Sequence, residues 1–180
     1  PEGRGEPPVE PGVPAGPVIQ ETEGRRAAAR TYQDLLETPH DAALFEHYLA
    51  TSVAYVGLDG AVRPAGPEGL VMSAEPSPDG RYLLTETRHR PFSYLVPYYR
   101  FPNRIQVWDR EGNVVHTVAD LPLQEEVPIA FDGVPTGPRG VQWRADAPAA
   151  LAWVEARDEG DPAVEADVRD EVLTLAAPFD

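Results

Sequence analysis

Apolar and polar residues follow two different rhythms along this chain. Between residues 31 and 50 the apolar positions recur at helical spacing, with Leu44, Phe45, Tyr48 and Leu49 on one face. Two cap signals precede them. Thr31-Tyr32-Gln33-Asp34 has the Ser/Thr-x-x-Asp/Glu form of a helix start. Thr38-Pro39-His40-Asp41 repeats it with Pro at the first helical position and an acid where the helix dipole favours one. After residue 51 the period shortens to two. Ser52–Leu58 predicts a strand, Asp59-Gly60 a hairpin turn and Ala61–Arg63 its return. Further strands are predicted at 70–74, 82–87, 104–109, 114–118, 141–144, 151–155 and 172–175. Pro76–Gly80, Glu111–Asn113 and Ala145–Pro148 supply turns between them.

These strands fall into units with one order: strand, Asp-containing turn, strand, long excursion, strand. Laid over each other at an offset of 67 residues, the units match Asp79 to Asp146, Leu84 to Leu151, Ile105 to Val172 and Trp108 to Leu175. Four-stranded antiparallel units repeated along a chain predict propeller blades. The expected fold class is therefore all-β, a fragment of a β-propeller with a short helical insertion near residues 31–50. The expected divisions are a Pro/Gly-rich connector over 1–30, the helical insertion over 31–50 and the outer hairpin of a preceding blade over 51–69. A complete blade plus connector follows over 70–139, and a partial next blade over 140–180. Within the connector, Val18-Ile19-Gln20 is a short segment able to pair with a sheet edge. Trp108, Trp143 and Trp153 lie on predicted strands, where packing between blades is the default.

Composition narrows the chemistry. The 180 residues carry 15 basic side chains, all arginine, against 30 acids, for a net charge of −15. Such a chain is a poor binder of nucleic-acid phosphates or of an anionic membrane surface. With no cysteine and no lysine, thiolate metal sites, thiol nucleophiles, Schiff bases and Ser–Lys dyads are excluded. No cofactor and no metal is expected. Proline and glycine number 21 and 15, which implies many turns. The chain opens Pro1-Glu2-Gly3 without an initiator Met, and the expectation is a piece of a larger protein. No apolar run is long enough to span a bilayer. The expected setting is a soluble protein, bacterial, either cytoplasmic or exported.

A string of motifs carries a resemblance. Pro17–Thr22, Arg30–Leu36, His89-Arg90-Pro91-Phe92-Ser93-Tyr94, Arg100-Phe101-Pro102, Asp120–Leu123, Val127–Phe131 and Trp143-Arg144-Ala145-Asp146 resemble the propeller domain of glutamyl endopeptidases, of the prolyl oligopeptidase family of serine peptidases. The resemblance covers nearly the whole chain from Pro17. It implies an N-terminal propeller that limits access to a C-terminal α/β-hydrolase domain bearing a Ser-Asp-His triad. The implied partners are a peptide substrate and that hydrolase domain. This chain departs from the family pattern by lacking the hydrolase half. Its serines are Ser52, Ser73, Ser77 and Ser93, and none stands in the Gly-x-Ser-x-Gly elbow. Ser93 near His89 has no evident third group to orient a dyad. No catalytic residue is expected here. Two other readings stay open: a non-enzymatic propeller module, and the same family with acylaminoacyl- or dipeptidyl-peptidase specificity.

Local charge suggests where substrate is met. Arg88, Arg90, Arg100 and Arg104 fall within 17 residues that hold no acid and five aromatic rings (Phe92, Tyr94, Tyr98, Tyr99, Phe101). A guanidinium fork pairs a carboxylate bidentately, so Arg90 and Arg100 are the candidate substrate-binding residues for an acidic side chain. The bland alternative is that these arginines pair with nearby acids. Glu155 to Glu171 is acidic, but its spacing does not fit a calcium loop, and a solvated excursion is expected. His40 and His47 are expected at the surface or the edge of the core.

Overall fold

The computed structural model describes residues 3–12, 32–125 and 133–180. The Val18–Gln20 edge segment, the Thr31 cap and the Val127–Phe131 motif lie outside these residues. The described chain is all-β in antiparallel sheets, with one short helix.

The helix, α1, runs Pro39–Leu49. Thr38 is extended at φ −134°, and its hydroxyl accepts from Asp41 N–H at 3.1 Å. The Asp41 carboxylate accepts in return from Thr38 N–H at 2.8 Å, which closes a capping box. At the other end Arg4 donates to the carbonyls of Tyr48 (3.2 Å) and Ala50 (2.5 Å), groups left without intrahelical partners. The earlier helix signal fails: residues 32–37 are not helical, and Asp34 takes φ +57°, which interrupts a right-handed helix. Nor is the predicted apolar face wholly covered. Leu44 and Phe45 are half-buried, whereas Tyr48 and Leu49 face solvent.

A two-stranded hairpin follows, β1 (Ala54–Val56) with β2 (Val62–Pro64). Gly60 turns it at φ +83°, a conformation that favours glycine. Next comes a four-stranded meander in the order β3 (Leu70–Pro76), β4 (Tyr82–Arg88), β5 (Asn103–Asp109), β6 (Val114–Leu121). Its tight turns are held by aspartates. Asp79 accepts from the Ser77 hydroxyl at 2.7 Å and from Arg81 N–H at 3.0 Å. Asp109 accepts from the N–H groups of Glu111 (2.9 Å) and Asn113 (2.8 Å). A three-stranded meander completes the chain, in the order β7 (Arg139–Trp143), β8 (Ala150–Ala156), β9 (Asp170–Ala176). Here Asp146 does not hold backbone amides as Asp79 does. Its carboxylate grips Arg144 at 2.7 and 3.0 Å.

Period-two alternation sends neighbouring residues to opposite faces of the four-stranded sheet. Leu84 pairs with Val107, and both join Ile105, Leu151 and Phe179 in the larger core. That core lies between the two meanders. Phe179 meets Tyr82 edge-on at 5.1 Å, and the Trp143 indole donates to Glu75 C=O at 2.9 Å. Asp79 N–H donates to Pro148 C=O at 3.0 Å, so the two turns are tied as well. One residue along, Leu83 pairs with Trp108 on the other face, where Ala65, Val53 and Tyr55 from the hairpin region close over them. Gly66 is required there: a β-carbon on it would fall 2.2 Å from the Trp108 ring.

Register corrects the sequence alignment of the two units. Leu84 pairs with Glu75 and Val107, and Leu151 pairs with Trp143 and Leu175. Leu84 and Leu151 correspond as expected. Val107, however, corresponds to Leu175, and Ile105 to Leu173, one residue beyond the predicted partners. Measured between equivalent pairs, Arg88 with Asn103 and Glu155 with Glu171, the second connection is one residue longer. Val172 is accordingly 68% exposed, whereas Ile105 is buried.

Candidate functional site

The basic, aromatic excursion between β4 and β5 is folded down rather than splayed. Phe92 and Phe101 stack at 5.1 Å, and Phe45 of α1 meets them edge-on at 5.1 and 5.6 Å. Val96, Phe101 and Ser93 are almost fully buried. The Ser93 hydroxyl donates to the Glu125 carboxylate and accepts from Leu95 N–H at 2.9 Å. Its neighbour in sequence, His89, turns elsewhere: one ring nitrogen bonds Asp120 at 2.7 Å and the other Arg90 C=O at 2.8 Å. Ser93 and His89 thus have separate partners, in keeping with a structural role for the serine.

The four arginines of the excursion divide by partner. Arg90 donates to both oxygens of Glu46 on α1, at 2.9 and 2.6 Å, and its guanidinium lies 4.8 Å from the Phe92 centroid. The hydrogen bonds to Glu46 raise its proton affinity above the ordinary arginine value. Arg104 grips Asp120 at 2.7 and 3.0 Å. That pairing, aided by His89, holds the Asp120 carboxyl below the ordinary carboxylate value. Arg88 is largely buried, 3.1 Å from Glu86, and burial pushes its guanidinium down despite the paired charge. Asn103 donates to the same Glu86 at 2.6 Å.

Arg100 differs. It ends the 3-10 turn Tyr98–Arg100, with its N–H donating to Pro97 C=O at 2.9 Å and its C=O accepting from Gln124 N–H at 3.0 Å. Among the described residues its half-buried side chain makes one long hydrogen bond, 3.4 Å to Gln124 C=O. Among the described residues it has no carboxylate within ion-pair distance. Tyr98 and Tyr99 beside it are half-exposed and meet edge-on at 6.0 Å. The two predicted site residues thus lie on one excursion in different states: Arg90 is engaged by a carboxylate, and Arg100 is paired with none among the described residues.

Glu46 and Gln124 were not singled out from sequence. Glu46 stands 44 residues from Arg90, and no local spacing announces such a pair. The acidic excursion is largely exposed, and several of its acids pair with arginines. Arg157 pairs with Glu171, Arg139 with Asp170, and Arg169 with the buried Asp158 at 2.8 Å. Among the described residues no three His, Asp or Glu side chains gather in a way that could hold a metal ion. A cleft of about 220 Å³ separates β3–β5 from β7, with Glu75, Glu86 and Asn103 on its walls. Glu86 is already engaged there by Arg88 and Asn103. Among the described residues no helix is long and apolar enough to cross a membrane.

A protein of rice (Oryza sativa subsp. japonica) named probable glutamyl endopeptidase, chloroplastic, is 44% identical over 171 residues, 94% of this chain and 18% of the relative. One of the same name from Arabidopsis thaliana is 42% identical over 178 residues, 98% of this chain and 18% of the relative. No family model matches the chain. No solved structure matches it. The expectation of a bacterial setting, cytoplasmic or exported, is corrected by these relatives, which are plant proteins named chloroplastic. Over nearly its whole length the chain is similar to one segment, about 18% by length, of proteins named probable glutamyl endopeptidase.

Proposed function

We propose that the chain is the non-catalytic β-propeller portion of a serine peptidase of the prolyl oligopeptidase family, one that cleaves beside glutamate. The observation that carries this reading is the 42–44% identity to proteins named glutamyl endopeptidase, sustained over 94–98% of the chain. The two consecutive meanders support it. They follow one another in sequence, share a core and stand face to face, as neighbouring propeller blades do. In this reading residues 70–139 are one blade with its connector, 140–180 part of the next, and 51–69 the outer hairpin of a preceding one. The nucleophile belongs to an α/β-hydrolase domain outside this chain, because no serine here stands in a nucleophile elbow. The propeller's contribution is to admit peptides of limited size and to present them to that domain. The excursion bearing Arg90 and Arg100 is the part turned toward substrate, since arginine suits an acidic side chain.

The test is to treat the full-length parent protein with a fluorophosphonate serine probe, map the labelled residue and digest a peptide library. The reading expects one labelled serine outside these 180 residues, with loss of cleavage at glutamate on labelling. Cleavage untouched by the probe, or a label on Ser52, Ser73, Ser77 or Ser93, would overturn it. A parent protein that binds peptides without cleaving them would favour a non-enzymatic propeller module.

A further inference from the structure

We infer that Arg90 and Arg100 have different tasks: Arg100 is the receptor for a peptide carboxylate side chain, and Arg90 is a positioning residue that fixes the excursion carrying it. The inference rests on the peptidase reading for the identity of the peptide, but its geometric basis is separate. A bidentate site needs a guanidinium with unused donors, a fixed backbone and little competing charge. Arg90 meets none of the first condition, since both oxygens of Glu46 occupy its fork and Phe92 covers its face. Arg88 and Arg104 are likewise engaged, with Glu86 and Asp120.

Among the described residues Arg100 meets the first two, and none of their carboxylates lies within ion-pair distance of it. Among the described residues its one side-chain hydrogen bond is a 3.4 Å contact to a neutral carbonyl, which leaves most of its five N–H donors unused by those residues. Its backbone is held on both sides, by Pro97 and Gln124, and the next residues, Phe101 and Pro102, are buried. On the facing segment, Glu125 accepts the Ser93 hydroxyl at one carboxylate oxygen, which turns that oxygen toward the serine. Tyr98 and Tyr99 supply half-exposed ring surface against which the methylenes of a glutamate side chain can lie. Arg90 acts through this arrangement. By clamping Glu46, and with Phe45 set against Phe92 and Phe101, it binds α1 to the excursion on which Arg100 stands.

The experiment uses the full-length parent protein and two peptides that differ only in Glu or Gln before the cleaved bond. kcat/KM is measured for wild type, Arg100→Gln, Arg100→Lys and Arg90→Gln, and binding of both peptides is followed by calorimetry. Arg100→Gln is expected to lower the Glu-to-Gln ratio by about tenfold or more, the scale of a charge-assisted hydrogen bond. Arg100→Lys is expected to lie between, because it keeps the charge and loses the fork. Arg90→Gln is expected to weaken both peptides by a common factor and leave the ratio in place. An unchanged ratio in both Arg100 variants overturns the assignment, as does a ratio that falls only with Arg90→Gln. Calorimetry separates this from failure of the peptidase reading. A parent protein without turnover whose Arg100 variants lose preference for the Glu peptide in binding supports the receptor and sinks the enzyme; unchanged preference sinks the receptor.

Discussion

Truncating Leu151 to alanine tests whether the two meanders share a structural core. Leu151 is the fully buried residue of β8, the central strand of its sheet, and it packs into the cluster formed by Leu84, Ile105, Val107 and Phe179. Leu→Ala at buried sites costs about 2–5 kcal/mol, the larger values arising where neighbours cannot collapse into the space. β8 is hydrogen-bonded on both edges, to β7 and β9, so its backbone has little freedom to move inward. We therefore expect the upper half of that range, roughly 3–4 kcal/mol. Against a domain stability of about 5–15 kcal/mol, this is a large fraction. Urea denaturation followed by tryptophan fluorescence gives the number, since Trp143 and Trp153 pack against the same cluster. Val172→Ala is the matched control. Its side chain is 68% exposed, and it should cost no more than about 0.5 kcal/mol. If Leu151→Ala costs no more than Val172→Ala, the shared core does not exist as described.

Three further outcomes follow from single contacts. Gly66→Ala drives a β-carbon into the Trp108 ring, so a loss of about 1–3 kcal/mol is expected in the same denaturation assay; a neutral result would mean the ring moves freely. Thr38→Ala removes the hydroxyl that caps α1 and should cost about 1 kcal/mol, whereas Thr38→Ser should restore most of it. Acid should destabilise the chain. Asp79, Asp109 and Asp120 are held below the ordinary carboxylate value, respectively by the Ser77 hydroxyl, the Asn113 amide and Arg104. A lowered folded-state value gives stability that is complete above the unfolded value of about 3.9 and is lost as pH falls through the folded one. Urea midpoints measured from pH 7 down to 3 should therefore fall steeply only below about 4. A midpoint that rises on acidification across that window contradicts the assigned pairings.

What could be read before the structure follows from the range of the interactions. Strands and their turns were legible because alternation and Asp-Gly pairs act within a few residues: Asp59-Gly60, Pro76–Gly80 and Glu111–Asn113 all turn where expected. The Thr38-Pro39-Asp41 start was legible for the same reason. The Thr31-based start was not decisive, because a left-handed Asp34 interrupts any helix running on from it. Register across units escaped notice because a single extra residue in an excursion moves every later side chain to the opposite face. Val172 looked like the counterpart of Ile105, but Leu173 has that position. The arginine-rich excursion was visible as charge, yet its partners were not. Glu46 and Asp120 reach Arg90 and Arg104 across 44 and 16 residues, distances at which sequence spacing carries no signal.

The account stands most directly on the structure of the full-length parent protein, determined by cryo-electron microscopy with a glutamate-containing peptide analogue. It predicts that β3–β6 and β7–β9 form adjacent sheets around one axis, and that a fourth strand pairs with β9. It also predicts that Arg100 lies on the side facing an α/β-hydrolase domain, with its guanidinium on the analogue's carboxylate. Two meanders closed into a sandwich with no common axis, or an Arg100 turned away from the bound analogue, would contradict it.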